Sequence, residues 1–296
     1  MFPSHWLAAA LLLGSGIATA QTTPPNEWEN PQAVEQHKEP ARASFMLFDK
    51  AADVAADDYA RSPYYASLNG TWKFHYVPRP AERPMDFFQP GFNDANWQPI
   101  AVPGNWEMQG FGIPVYSNYL YPFPKNQPYI DARDNPVGTY RRSFTVPAGW
   151  DGREVLLHFG AISGYAVVYV NGQRVGMSKV AKSPAEFDVT KYLKPGDNQL
   201  AVQVFRWHDG SYLEDQDFWR LSGLDRDVYL TSLPQQTIWD FFTHADLDPS
   251  YQNGQFAAEV TVRSFGGTAT ARQLLVEILD QTGKLGYSNV NSPLKN

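Results

Sequence analysis

An Asn-Gly pair between two apolar runs constrains the fold of this chain most. Asn171 and Gly172 separate residues 167–170 from residues 173–177. Asn-Gly supplies the positive φ angles of a type I′ turn, which joins two antiparallel strands directly. Further apolar runs of strand length occupy Glu154–Phe159, Tyr165–Val170 and residues 198–205. Short strands separated by turn residues predict an antiparallel β fold.

Helical signals are sparse. Residues 49–59 are rich in alanine and predict the one convincing short helix, with Pro63 beyond its end. After residue 62 the pattern changes to period two, and Trp72, Phe74 and Tyr76 fall on one face. We therefore predict an all-β protein whose residues 63–234 form a sandwich of the jelly-roll type.

A second unit is predicted from residue 235. Its expected strands cover residues 238–242, 256–264 and 273–279, of which the second alternates cleanly. An immunoglobulin-like sandwich takes about 100 residues, whereas 60 residues follow position 236. We expect residues 235–296 to be the start of such a domain, truncated.

The N-terminus has the features of an export signal. An apolar run over residues 6–13 leads to Ala18-Thr19-Ala20, an A-x-A cleavage pattern. The run is shorter than the roughly 20 residues that span a bilayer. We predict a signal peptide at residues 1–20 and an exported protein, periplasmic or extracellular; the alternative is an incidental buried helix. Residues 21–62 are predicted to be an extended arm that carries the short helix.

Charge and cysteine content exclude some partners and sites. The chain has 24 lysine and arginine residues against 31 acidic residues, a formal charge of −7. A phosphate-backbone binder needs a basic footprint, so we expect no nucleic-acid partner. With no cysteine, disulfides and thiolate metal sites are excluded.

The densest polar segment is the predicted loop 206–220. It places four carboxylates among four aromatic side chains. Carboxylates accept hydrogen bonds from sugar hydroxyls or bind a hard cation. The carboxylates are those of Asp209, Glu214, Asp215 and Asp217. Composition alone favours a plainer interpretation, in which Arg206, Arg220 and Arg226 hold an acidic loop by ion pairs.

Direct catalysis by this loop is not expected. Glycoside hydrolysis needs two carboxyl groups about 5–5.5 Å or about 6.5–9.5 Å apart across a sugar. Glu214, Asp215 and Asp217 are close in sequence, but nothing places two of them across such a cleft. The six histidines are not spaced as zinc ligands.

Several motifs give the sequence a family resemblance. From about residue 28 to at least residue 230 it resembles the family 2 glycoside hydrolases, and most closely the large bacterial β-galactosidases of the lac type. The matching segments are 28–31 (Trp-Glu-Asn-Pro), 67–72 (Ser-Leu-Asn-Gly-Thr-Trp), 102–106 (Val-Pro-Gly-Asn-Trp), 114–118 (Pro-Val-Tyr-Ser-Asn), 135–140 (Asn-Pro-Val-Gly-Thr-Tyr), 184–188 (Pro-Ala-Glu-Phe-Asp) and 206–220.

The resemblance implies roles for two residues. Asn118 would contact galactosyl hydroxyls, and Asp209 would bind a sodium ion and the galactose. The family's two catalytic glutamates and its magnesium ligands lie on a later barrel domain, so no catalytic residue is expected in this chain. His208 stands where the family usually has a small residue, and Asp225 replaces an aromatic residue.

The sequence thus predicts the sugar-binding N-terminal portion of a retaining β-galactosidase that acts on terminal β-galactosides and can form a homo-oligomer. This portion alone is expected to be inactive. The alternatives are a stand-alone carbohydrate-binding module and a subunit-assembly fragment. The gene sequence beyond Asn296 would discriminate between them.

Overall fold

The computed structural model describes residues 26–118, 120–214, 216–266 and 273–291. Within these ranges the chain is nearly all β, with one α-helix, α1 (Ala51–Ala56). The predicted signal peptide lies outside the described residues. No helix of the described part is long and apolar enough to cross a bilayer.

The described strands follow one another with short connections. In chain order they are β1 (Glu35–Gln36), β2 (Tyr65–Ser67), β3 (Gly70–Val77), β4 (Gln98–Val102), β5 (Gly104–Asn105), β6 (Val115–Ser117), β7 (Val137–Thr145), β8 (Glu154–Phe159), β9 (Ile162–Ser163), β10 (Tyr165–Val170), β11 (Gln173–Ser178), β12 (Ala185–Asp188), β13 (Asp197–Phe205), β14 (Phe218–Arg220), β15 (Gly223–Leu224), β16 (Val228–Leu233), β17 (Gln236–Leu247), β18 (Gly254–Ser264), β19 (Leu274–Leu279) and β20 (Leu285–Asn291). The 3-10 turns are Glu27–Glu29, Tyr59–Arg61, Pro80–Glu82, Glu107–Gln109, Thr190–Tyr192 and Asp209–Leu213.

Two antiparallel sheets form a sandwich. One has seven strands in the order β1-β11-β10-β13-β7-β3-β4, and the other has four in the order β12-β8-β16-β2. The Asn-Gly hairpin is confirmed, because Val170 pairs with Gln173. Asn171 and Gly172 have φ angles of 51° and 84°, as a type I′ turn requires. The sandwich architecture follows the sequence prediction, and the jelly-roll topology stays a prediction.

Alternation on the strands builds the core between the two sheets. On β3, Trp72 and Phe74 are buried while Lys73 points to solvent. Their rings join one apolar cluster with Phe159 and Leu230 of the opposite sheet. Full burial of each such side chain contributes about 1.5–3 kcal/mol. Gly138 lets this core close, since a Cβ there would lie 2.5 Å from the Trp106 ring.

The arm packs along the sandwich. Its strand β1 pairs with β11 at the edge of the larger sheet. Helix α1 is shorter than the predicted range 49–59, and none of its side chains is buried. Without a buried face, a helix of this length has little to stabilise it. The helix ends at Asp57, whose left-handed φ of 47° turns the chain out of the helical path.

The segment after residue 235 contains two hairpins, β17 with β18 and β19 with β20. Strand β17 continues to Leu247, five residues beyond the predicted end at 242. Its first part packs against the sandwich through Trp239, which contacts Leu156 and Leu233. The boundaries between the domains and the immunoglobulin-like character of this unit stay predictions.

Candidate functional site

The two motifs that contain Asn118 and Asp209 lie on loops that the fold joins. Strand β6 pairs with β14 so that Ser117 is opposite Phe218. Asn118 directly follows β6, and Asp217 directly precedes β14, so both lie at the same end of this two-stranded ribbon. Asp209 begins the 3-10 turn Asp209–Leu213 in the loop that leads to β14.

Hydrogen bonds and ring contacts hold the two loops together. Both terminal nitrogens of Arg206 donate to the Ile113 carbonyl at 3.2 Å, and one also donates to the Arg220 carbonyl at 2.8 Å. The Tyr121 hydroxyl donates to the Tyr212 carbonyl at 2.7 Å. A small apolar cluster supports these contacts and comprises Phe123, Ile130, Trp207 and Tyr212.

Asn118 presents its amide to solvent. The residue is exposed, and its side chain makes no hydrogen bond within the described part of the chain. Beside it on the ribbon, the rings of Tyr116 and Trp219 lie 5.7 Å apart and are 53% and 55% exposed. The Tyr116 hydroxyl donates to the Asp217 carboxylate. An unpaired amide next to exposed aromatic faces is an arrangement that can bind sugar hydroxyls and C–H faces.

Asp209 is enclosed rather than exposed. Its side chain is 7% exposed, and its Oδ1 lies 2.9 Å from the Lys179 ammonium. The same oxygen accepts the Gly210 amide at 3.0 Å. Burial would raise the pKa of Asp209, but the His208 ring and the Lys179 ammonium outweigh burial and hold this pKa below its ordinary value. Asp209 is therefore an anionic group with a fixed position.

The interpretation of the loop as an acidic segment held by its own arginines is wrong for Asp209. Its partner is Lys179, which follows β11 and also donates to the Asn30 carbonyl at 2.9 Å. Arg206 lies near Glu107, at 3.7 Å between Nε and Oε1, and not near a carboxylate of the loop. Burial raises the pKa of Glu107 and lowers the pKa of Arg206. No local sequence pattern indicates that Lys179 or Glu107 belongs to the site.

His208 explains how the turn begins. The residue is fully buried, and its Nδ1 accepts the Gly210 amide at 3.1 Å, while its own amide donates to the Ser211 hydroxyl at 3.1 Å. These two bonds form a reciprocal cap of the kind that satisfies free amides at a helix start. The ring therefore fills the space where the family usually has a small residue. It also fixes the backbone that carries Asp209.

The other family departure, Asp225, is held by polar groups. The Asn105 amide donates to its Oδ1 at 2.7 Å, the Ser163 hydroxyl donates to Oδ2, and the Lys182 ammonium lies 3.5 Å from Oδ2. Burial raises the pKa of this carboxyl despite these partners. At position 225 these polar contacts take the place of the packing that the family's usual aromatic residue would provide.

The remaining acidic residues of the loop have separate partners. The Glu214 carboxylate lies 3.7 Å from His208 Nε2, and the Asp217 carboxylate accepts from Tyr116. Asp215 lies outside the described residues. The described carboxylates are thus engaged individually.

The described acidic residues do not form a cluster that could hold a cation by itself. Among the described residues no group of three or more acidic, histidine or cysteine side chains could hold a metal ion. Asp209 Oδ1 is already engaged by an ammonium group, so Oδ2 is the oxygen that could bind a cation. The described acidic residues alone therefore do not fit a complete sodium or magnesium site.

Comparison with known proteins decides the family. The sequence profile of the glycosyl hydrolases family 2 sugar binding domain matches residues 65–234. The chain belongs to glycoside hydrolase family 2. The match covers both loops of the candidate site and every strand of the two-sheet sandwich except β1.

Within family 2, the sequence is similar to β-galactosidases. It is 38% identical over 262 residues to a β-galactosidase of Priestia megaterium, covering 86% of this chain and 25% of that protein. It is 43% identical over 235 residues to a β-galactosidase of Photobacterium profundum, covering 78% and 22%. The chain thus spans about a quarter of the length of the curated relatives it matches.

Solved structures with the same fold include β-glucuronidases. The Bacteroides uniformis enzyme has a TM-score of 0.62 at 22% identity and covers 78% of this chain and 26% of that one. An apo β-glucuronidase from Ruminococcus gnavus has a TM-score of 0.57 at 20% identity, covering 78% and 39%. At these identities the likeness supports the fold alone.

Proposed function

We propose that this chain is the sugar-binding portion of a retaining β-galactosidase that hydrolyses terminal β-galactosides. Sequence identity of 36–43% to proteins named β-galactosidase is the observation that carries this proposal. The reacting carboxylates would be supplied by a catalytic barrel outside this chain. Retaining hydrolysis uses two carboxyl groups about 5–5.5 Å apart and a glycosyl-enzyme intermediate.

Within that enzyme, Asn118 would orient the sugar. Its amide can donate to one galactosyl hydroxyl and accept from another, and no described group competes for it. The exposed Tyr116 and Trp219 rings beside it offer apolar faces to the C–H side of a pyranose. Fixing the ring in this way lowers the entropic cost of reaching the transition state.

Asp209 would act from a fixed position. Lys179, Gly210 and His208 restrict its carboxylate, so that Oδ2 can accept a sugar hydroxyl or provide one ligand of a sodium ion completed by other oxygen atoms. Magnesium would be held by residues outside this chain. We also propose export through residues 1–20 and assembly into a homo-oligomer.

The experiment is a kinetic comparison in the full polypeptide that contains this chain. Asn118→Ala should lower kcat/KM for a nitrophenyl β-galactoside by roughly 10- to 100-fold, because it removes hydrogen bonds to the sugar. Asn96→Ala, at an exposed asparagine of another loop, is the matched control. Unchanged kinetics in the Asn118 variant would show that Asn118 does not orient the sugar. Asp209→Asn should weaken the sodium response and galactoside binding together.

A stand-alone binding module is the second candidate. The exposed ribbon with Asn118, Tyr116 and Trp219 could bind a sugar without any reacting carboxylate. This candidate predicts galactose binding by the chain and no hydrolysis by any polypeptide that contains it. The galactosidase proposal predicts hydrolysis by the full polypeptide and none by the chain alone.

A further inference from the structure

A cavity lies under the N-terminal arm. Arm residues 38–45 cross the outer face of the four-stranded sheet and enclose about 300 Å³ against it. This volume is at the lower end of the range for small-molecule sites, about 300–1,000 Å³. None of its lining residues belongs to the loops that carry Asn118 and Asp209.

The floor of the cavity is a row of side chains across three neighbouring strands. Strand pairing places Glu186 of β12 opposite His158 of β8, and His158 opposite Tyr229 of β16. The His158 and Tyr229 rings stack with centroids 4.3 Å apart. Glu186 Oε1 lies 3.1 Å from His158 Nδ1 and accepts from Arg42 at 2.9 Å. The row is rigid because each member is fixed by the next.

The lysine, glutamate and arginine side chains that line the cavity are neutralised in pairs. Among the described residues, every lysine, arginine and glutamate that lines the cavity has an oppositely charged partner. The cavity therefore favours an uncharged ligand over an ion. The ion pairs are Lys38–Glu35 at 2.8 Å, Arg263–Glu39 at 2.7 Å and Arg42–Glu186 at 2.8 Å.

One buried hydroxyl in the cavity lacks a partner. Thr231 is 6% exposed and lines the cavity, yet its Oγ1 makes no hydrogen bond within the described structure. A buried polar group without a partner costs about 1–3 kcal/mol. A ligand that carries hydroxyl groups would remove this cost, whereas a purely apolar ligand would not. The hydroxyls of Ser44 and Ser183 line the same space.

The cavity continues into a wider groove of about 610 Å³. Ser44, His158 and Tyr229 border both spaces. The groove adds the rings of Tyr59 and Tyr65, which contact Tyr229 with centroids 6.5 and 5.1 Å from it. The groove is also lined by three carboxylates and a guanidinium, which can hydrogen-bond further sugar hydroxyls, so a ligand longer than one unit has a path along the sheet. These groups belong to Asp57, Asp58, Asp227 and Arg226.

We propose that the cavity between the arm and the four-stranded sheet binds one neutral pyranose unit, with further units of a saccharide extending into the tyrosine-lined groove. Thr231 and Glu186 would bond its hydroxyls, and the Tyr229 and Phe45 rings would face its C–H groups. The proposal stands on the cavity, the paired charges and the unpartnered hydroxyl, and it does not depend on the function proposed for Asn118.

The test is a titration of the purified chain with methyl β-D-galactoside, followed by calorimetry or NMR. Thr231→Val keeps the side-chain shape and removes the unpartnered hydroxyl, so the fold should be retained while Kd rises roughly 3- to 10-fold. Ser44→Phe should block the cavity and abolish binding. Thr237→Val, at a buried threonine outside the cavity, is the matched control and should leave Kd unchanged.

Three outcomes of the titration with the galactoside would overturn the proposal. These are absence of saturable binding, equal binding by the wild type and both cavity variants, and loss of binding in Asn118→Ala with retention in Thr231→Val. The last would assign the ligand to Asn118 and leave the proposed function standing. Methyl β-D-glucuronide should bind no more tightly than the galactoside, and a clear preference for this anion would contradict a neutral site.

Discussion

Arg42 should be the most sensitive position of the arm. Its side chain is 9% exposed and donates to both oxygens of Glu186, at 2.8 and 2.9 Å. It also lies over the Trp239 ring of the following unit, 4.6 Å from its centroid. Arg42→Met keeps the apolar stem and leaves the buried carboxylate with His158 alone. The change therefore removes the positive charge together with the guanidinium contacts to Glu186 and Trp239.

The expected cost is about 3 kcal/mol. Breaking a buried ion pair by removal of one partner costs about 3–5 kcal/mol, and the lower end applies because Glu186 keeps His158 at 3.1 Å and is 12% exposed. Urea denaturation followed by circular dichroism would measure it. Arg133→Met, at an 87% exposed arginine, should leave the midpoint unchanged. The double variant Arg42→Met/Glu186→Gln should regain part of the loss, since the uncompensated charge is gone.

The loss of stability in Arg42→Met should depend on pH, and the direction follows from the pKa of Glu186. Burial would raise the pKa of Glu186, but His158 and Arg42 outweigh burial and lower it. In the wild type its stabilisation is therefore present above the ordinary pKa of about 4.3 and is lost as pH falls through the lowered value. Without Arg42, burial should raise this pKa, so the deficit of the variant should shrink from pH 7 to pH 5. A deficit below 1 kcal/mol, or one independent of pH, would refute the reasoning.

Three further changes test the site and the core. Lys179→Met should destabilise the chain by about 3 kcal/mol in urea denaturation, because it leaves the Asp209 carboxylate buried without its cation; loss below 1 kcal/mol would contradict a buried pair. His208→Ala should cost about 2 kcal/mol through loss of the cap and a new cavity, and His208→Asn should regain part of it as a capping residue. Gly138→Ala should lower the thermal midpoint, since its Cβ would lie 2.5 Å from the Trp106 ring and cost about 1–3 kcal/mol.

The sandwich could be predicted because its signals are local. Asn171 and Gly172 specify a turn by their own φ preferences, and alternation at Trp72 and Phe74 reports which face of β3 is buried. The extent of β17 could not be predicted. Its second half, up to Leu247, is exposed and lacks alternation, and it is a strand because its backbone pairs with β18.

The candidate site was predictable in its residues and not in its contacts. The motifs that end in Asn118 and contain Asp209 are continuous in sequence, so they can be found by resemblance. Lys179 lies thirty positions before Asp209 and meets it only after β11 and the loop fold together. Glu107 lies ninety-nine positions before Arg206 and meets it only in the folded chain. Such pairings depend on topology, and no local pattern encodes them.

The central claim is that this chain serves galactoside hydrolysis. The most direct measurement is kcat/KM of the full polypeptide that contains it, with nitrophenyl β-galactoside and nitrophenyl β-glucuronide as competing substrates. Sites built on hydrogen bonds to specific substrate groups discriminate strongly, so we predict a galactoside preference of at least about 100-fold. A preference for the glucuronide, or no hydrolysis of either substrate, would contradict the account.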